Sequence, residues 1–114
     1  MSELGQKIIT AVREAAAGSP NYIYSGTCQY VRHGNPACLV GRGLWEAGLI
    51  NAWLERSQLN SEPVDLLIRE MDWEIDDDEI RWLATAQEQQ DSGYPWRDAV
   101  DYADEAEGEI HAVR

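Results

Sequence analysis

Phenylalanine is absent from this sequence, whose aromatic residues are five Trp and five Tyr. Each of those rings carries a polar atom that needs a partner when buried. The core is therefore expected to rest on Leu, Ile and Val, with indoles and phenols near its rim. Long apolar runs are also missing. No stretch approaches the roughly 20 apolar residues of a membrane span, and Glu3 and Lys7 interrupt the start of the chain where a secretory signal needs a continuous hydrophobic region. The expectation is a cytosolic protein with no membrane partner, in which the only two cysteines, Cys28 and Cys38, stay reduced. The G-x-S-x-G, H-E-x-x-H, C-x-x-C and kinase motifs do not occur.

At 114 residues the chain has the length of one domain. A chain of this size buries roughly 65% of its unfolded surface, enough for a core without metal or disulfide staples. An apolar fraction of 44% is ordinary for a globular protein and argues against disorder. The net charge of −12 is distributed unevenly. Residues 1–61 hold four carboxylates against five cations, and residues 62–114 hold the other 17 carboxylates against four Arg, giving +1 and −13. Phosphate binding needs Lys and Arg to displace counterions, so direct contact with nucleic acid is disfavoured. A protein with a basic surface fits better.

Periodicity predicts a mainly α fold, a compact bundle of five or six short helices. The first starts at Ser2 as N-cap and carries Leu4, Ile8, Val12 and Ala15 on one face, widened by Ile9 and Ala16, until Gly18-Ser19-Pro20 ends it. Residues 22–31 have a β texture, Tyr22-Ile23-Tyr24 and Cys28-Gln29-Tyr30-Val31 joined through Ser25-Gly26, which fits one small hairpin. Asn35 and Pro36 then suit the N-cap and first position of a helix over 37–47, with Gly48 at C′. Gly41 and Gly43 weaken that helix by about 1 kcal/mol each. Their presence implies a backbone element close against that face, from the same chain or from a second copy in a homodimer.

A short helix follows over 52–58, with Trp53 and Leu54 inward. Asn60-Ser61-Glu62-Pro63 opens the next, whose Val64, Leu67, Ile68 and Met71 match helical spacing. Asp76, Asp77, Asp78 and Glu79 open another, with Ile80, Leu83, Ala84 and Gln87 inward and Gly93 as its stop. Tyr94-Pro95 restarts the chain, and Trp96, Ala99, Val100 and Ala103 continue helically toward Ile110.

Cys28, His33 and Cys38 form C-x4-H-x4-C, a zinc-knuckle spacing with Ser25 where a first cysteine would stand. A structural zinc site needs four good ligands, so buried packing is the expected role of both cysteines. The same residues could in principle form a Cys/His catalytic pair, and the two cysteines a disulfide if they faced each other. His33 reads more simply as an exposed turn residue. Asp76 to Glu79 is contiguous and lacks the alternating oxygens and glycine of a calcium loop. Acidic residues at a helix start serve as caps. Gly41-Arg42-Gly43 lacks the Lys-Ser/Thr of a phosphate loop. No metal, cofactor or catalytic residue is therefore assigned. Trp73 and Trp82 flank the acidic run, and neither is needed to complete an apolar stripe. Each is a candidate protein-binding residue together with Asp76, Asp77, Asp78 and Glu79. The alternative for Trp82 is that it covers a second face of a surrounded helix.

Two segments resemble a group of small proteins of actinobacteriophages, mycobacteriophages included, and of their hosts. One comprises Cys28, Tyr30, Gly34, Pro36, Cys38-Leu39-Val40-Gly41, Leu44 and Gly48; the other Gln87, Gln90-Asp91, Gly93, Trp96 and Ala99. Together they span residues 28–48 and 87–99, about 30% of the chain. The resemblance implies phage origin and a helical domain, and it carries no established activity. The expected function is a non-enzymatic accessory protein that binds a host protein in the host cytoplasm and perturbs its physiology, with growth inhibition as one outcome. An acidic DNA mimic that blocks a nucleic-acid-binding protein is the first alternative, and a small Cys/His enzyme the second.

Overall fold

The structure, a computed structural model, describes residues 2–26 and 28–107. Helix α1 (Glu3–Gly18) begins at Ser2, whose extended backbone and Oγ accept the chain into the helix, the Gly5 N–H donating to Oγ at 3.0 Å. This satisfies one of the N–H groups that every helix start leaves open. Ile8, Ile9, Val12 and Ala16 are buried along the expected face, with Leu4 and Ala15 half-buried beside them.

The β-hairpin lies further along the chain than residues 22–31. Its strands are β1 (Val31–Arg32) and β2 (Asn35–Pro36), antiparallel, with Val31 opposite Pro36 and Arg32 opposite Asn35. The turn between them, His33-Gly34, holds φ at 56° and 79°, as a tight two-residue hairpin turn demands. The segment expected to form a first strand, Tyr22-Ile23-Tyr24, instead starts another helix from outside: the Tyr22 carbonyl accepts the Trp96 N–H at 2.9 Å, and the Pro20 carbonyl accepts that of Arg97 at 3.0 Å. On the free side of β1, the buried Asn60 stands in for a third strand. Its side-chain Oδ1 accepts the Val31 N–H and its Nδ2 donates to the Val31 carbonyl, both at 2.9 Å. Glu55 closes the hairpin tip by accepting the His33 and Gly34 N–H groups at 2.8 and 3.0 Å, which hold its carboxyl below the ordinary range.

Because Asn35 and Pro36 belong to β2, they do not start a helix. Helix α2 (Leu39–Glu46) begins at Cys38, whose Sγ accepts the Gly41 N–H at 3.4 Å, and Gly48 at φ 79° follows its end as expected. The two glycines mark close approaches within the chain. A Cβ on Gly41 would sit 2.8 Å from the Tyr30 Cα, and one on Gly43 would meet the Val12 side chain and lie 3.3 Å from the Ile8 carbonyl oxygen. That face of α2 is filled by Tyr30, just before β1, and by α1, and the glycines no longer argue for a second copy.

The helix expected over 52–58 is replaced by two 3₁₀ turns, Ala52–Arg56 and Gln58–Ser61. Asn51 and Ser57 each cap locally, their side chains accepting the Trp53 and Leu59 N–H groups, and such short-range caps outcompete a continuous helix. Leu54 is buried, but Trp53 points outward, 69% exposed, with the Arg56 guanidinium 4.6 Å from its ring centre. Helices α3 (Val64–Met71), α4 (Asp77–Asp91) and α5 (Trp96–Glu107) follow. Val64, Leu67 and Ile68 are buried while Met71 is exposed. Asp72 and Gly93, both at positive φ, end α3 and α4. The helical continuation toward Ile110 lies outside the described residues.

Helix α4 lies against all four other helices. Three of its polar side chains, Glu79, Gln87 and Gln90, are buried, and each serves the N-terminus of a different helix. Glu79 accepts the Ser2 N–H at 3.2 Å and the Gln6 Nε2–H at 2.7 Å, and it also takes the Ser2 hydroxyl proton, all at the start of α1. Gln87 Oε1 accepts the Val64 N–H of α3 at 2.9 Å, where Pro63 offers no side-chain cap. Gln90 Oε1 accepts the Leu39 N–H of α2 at 2.8 Å, and the Trp96 indole N–H at 3.2 Å.

Replacing Gln87 or Gln90 by Leu keeps the volume but strands buried donors, and each change should cost roughly 1–3 kcal/mol. Urea unfolding measures this, and a loss below about 0.5 kcal/mol would contradict the capping role. Gly43→Ala should also destabilise, because overpacking against Val12 at roughly 1–3 kcal/mol outweighs the gain of about 1 kcal/mol in helix propensity. Gly18→Ala, with nothing near its Cβ, should be neutral or stabilising.

Candidate functional site

The six residues singled out around the acidic run separate into two groups. Trp82 is fully buried: its ring lies beneath the Arg13 guanidinium at 5.2 Å, and its Nε1–H donates to Asp104 Oδ1 at 2.9 Å. Asp104 also grips Arg13 through two hydrogen bonds of 3.0 and 2.7 Å. Trp82 therefore covers a second face of a surrounded helix and offers no surface to a partner. Glu79 is equally buried. Its carboxylate reaches back to the Asp76 N–H at 3.2 Å, completing a capping box, so Asp76 is the N-cap of α4. These two carboxylates start a helix, and among the described residues no His, Cys, Asp and Glu cluster could hold a metal ion.

Trp73, Asp77 and Asp78 remain at the surface. Trp73 is half-buried in a groove of about 470 Å³ between α3 and α4, floored by Ile68, Ile80 and Ala84. Asp65 and Asp77 stand on its rim with Arg69 and Arg81. Arg81 is tied to Asp78 at 2.7 Å and to Glu107 at 3.4 Å, which offsets its charge. Between the helices, Glu70, Asp72, Glu74, Asp76, Asp77 and Asp78 are all exposed, and no cation interrupts residues 70–78. The groove thus joins an apolar floor and an indole to a rim of mixed charge, and the acidic segment 70–78 runs beside it. Sequence reading placed Ile80 and Ala84 wholly inward and passed over Asp65. The visible signal was their i, i+4 spacing at the edge of the α4 stripe.

The cysteines do meet. Cys28 and Cys38 are both buried free thiols, the Cys28 S–H donating to Cys38 Sγ at 3.0 Å. His33 is exposed on the hairpin turn and does not join them. Burial, then the adjoining Cys28, pushes the Cys38 thiol well above its usual range. Glu62, Asp65, Glu88 and Asp91 line the cleft onto which Cys28 opens, opposite to the electropositive setting a thiolate nucleophile needs. Beside this pair, the Tyr30 hydroxyl donates to the Glu62 carbonyl at 2.6 Å and accepts from Gln87 Nε2 at 3.0 Å. Its burial likewise pushes the phenol far above the usual range. The two segments that carry the family-like pattern thus touch: Gln87 reaches Tyr30 and Cys28, and Gln90 reaches Leu39.

No protein family, curated protein or solved structure matches this chain.

Cys38 and Tyr30 stay protonated in the folded chain at pH values where they would ionise if exposed. Their contribution is whole below the unfolded pKa values, about 8.5 for a thiol and about 10 for a phenol, and is lost as pH rises through those values toward the raised folded ones. The urea midpoint should therefore fall steadily above about pH 8.5. Cys38→Ala should flatten the first part of that slope and Tyr30→Phe the second. An unchanged slope in both variants would show that other groups govern alkaline stability.

Proposed function

We propose that this chain is a non-enzymatic binding protein that takes a basic segment of a partner protein into the groove between α3 and α4. The observation that carries the reading is Trp73, half-buried over the apolar floor of Ile68, Ile80 and Ala84, with Asp65 and Asp77 on the rim and the other exposed carboxylates of residues 70–78 adjoining it along the chain. A rigid indole in a partly desolvated groove is the kind of anchor that dominates binding energy. The acidic segment 70–78 beside the groove steers a basic partner and disfavours an acidic one. With the phage-like pattern of residues 28–48 and 87–99, the partner is a host protein, and the effect of the chain is to perturb host physiology.

The clean variants leave Asp76 and Glu79 in place, since both belong to the helix start. Trp73→Ala and the reversal of Asp72, Glu74 and Asp77 to Lys should each keep the fold. Each should weaken partner binding at least about tenfold, equivalent to roughly 1.4 kcal/mol. Affinity capture from an actinobacterial lysate, followed by titration of the recovered partner, reads this directly. Expression of the wild type should slow host growth and that of the variants should not. Equal binding by all three proteins overturns the groove. Displacement of the partner by duplex DNA would replace this reading with a DNA mimic.

A further inference from the structure

A second cleft, built mainly from residues 19–42 and closed by Trp96 of α5, carries cations without carboxylates. It encloses about 350 Å³ between the 19–24 segment, β2, α2 and the start of α5, and its walls include Arg32, Arg42, Tyr22, Tyr24, Trp96 and Ser19. No acidic residue lines it. In a chain of net charge −12, that is a local reversal of sign. Both guanidiniums are held by aromatic faces and not by carboxylates. The Arg32 guanidinium lies 5.0 Å from the Tyr24 ring centre and donates to the Tyr24 hydroxyl at 2.7 Å, and to Gln29 Oε1 at 3.1 Å. That of Arg42 lies 5.8 Å from the Trp96 ring centre. Among the described residues neither forms an ion pair.

Stacking on a ring orients a guanidinium but leaves its charge uncancelled and most of its N–H donors available. Two such groups facing one cleft give about +2, which matches the dianion of a phosphate monoester and exceeds a carboxylate. Arginine's planar fork suits phosphate oxygens. At the mouth, Tyr22 is 48% exposed and fixed edge-on against Trp96, ring centres 4.8 Å apart at 70°. Its position offers an aromatic surface to whatever the phosphate carries. We propose that this cleft is a binding site for a phosphate monoester attached to a planar ring, with a mononucleotide as the simplest occupant.

Adenosine monophosphate, inorganic phosphate and adenosine serve as probes, read from the indole signal of Trp96 and the guanidinium signal of Arg42 by nuclear magnetic resonance. Adenosine monophosphate should give saturable shifts at both signals in the millimolar range or below. Inorganic phosphate should compete for the same site more weakly, and adenosine should not bind. Arg42→Gln should weaken adenosine monophosphate by about tenfold or more, while Arg42→Lys, which keeps the charge and loses the fork, should fall between. Tyr22→Ala should weaken adenosine monophosphate and leave inorganic phosphate unchanged. Arg42→Lys and Tyr22→Ala keep the test decisive should Arg42→Gln fail to fold. The proposal is overturned by the absence of saturable shifts, by adenosine binding as well as its monophosphate, or by undiminished binding in Arg42→Gln. A single-stranded oligonucleotide binding far more tightly than the mononucleotide would also overturn it.

Discussion

Three buried polar side chains on α4 hold this fold together. A helix start leaves N–H groups without intrahelical partners, and three helices here are poorly served by their own sequence at that point. Pro63 has no side-chain acceptor, Cys38 offers only a weak sulfur, and Ser2 is itself held by Glu79. Gln87, Gln90 and Glu79 supply the missing acceptors from a single neighbouring helix. Buried amides and carboxylates are tolerated only when their hydrogen-bonding capacity is met, and leaving one unmet is costly. Each therefore fixes both the register of α4 and the angle at which another helix arrives. The position of α5 is set by the same logic from the other side, through the Tyr22 and Pro20 carbonyls.

This arrangement divides the acidic surplus by role. Glu79 sits inside the protein, and Asp104 is committed to Arg13 and Trp82, linking the acidic half to α1. Glu107 bonds Arg81 and Thr85. What is left as a one-sign surface is concentrated in the connection between α3 and α4, around Trp73. On the other half, Arg32 and Arg42 are stacked on rings and keep their charge. The molecule consequently presents an acidic segment on one side and a cleft lined by two arginines and no carboxylate on the other, a feature that a net charge of −12 conceals.

The absence of phenylalanine has a structural counterpart. The largest buried side chains include Trp82 and Tyr30, and each satisfies its polar atom at depth. Trp82 donates to Asp104, and Tyr30 both donates to the Glu62 carbonyl and accepts from Gln87. Tyr24, Tyr30, Trp82 and Trp96 thus enter the core, while Trp45 and Trp73 stay half-buried at its rim as expected. Trp53 and Tyr102, without such a demand from the core, are exposed.

The sequence by itself determined what depends on neighbours within about four residues. The Ser2 cap, the apolar stripes of α1 and α3, the acidic start of α4 and the stops at Gly48 and Gly93 are all local, because helix hydrogen bonds and caps span that distance. The close backbone approach at Gly41 and Gly43 was also legible, since a glycine in a helix is costly without one. Tertiary structure decided the rest. The hairpin sits at 31–36 because Asn60, 29 residues from Val31, completes its edge. Trp82 and Glu79 are interior because Asp104 and Ser2 await them, 22 and 77 residues away. Periodicity shows which face of a helix is apolar, but it does not show what covers the opposite face. Surface and core therefore became distinguishable in the acidic run only once those distant partners were in place.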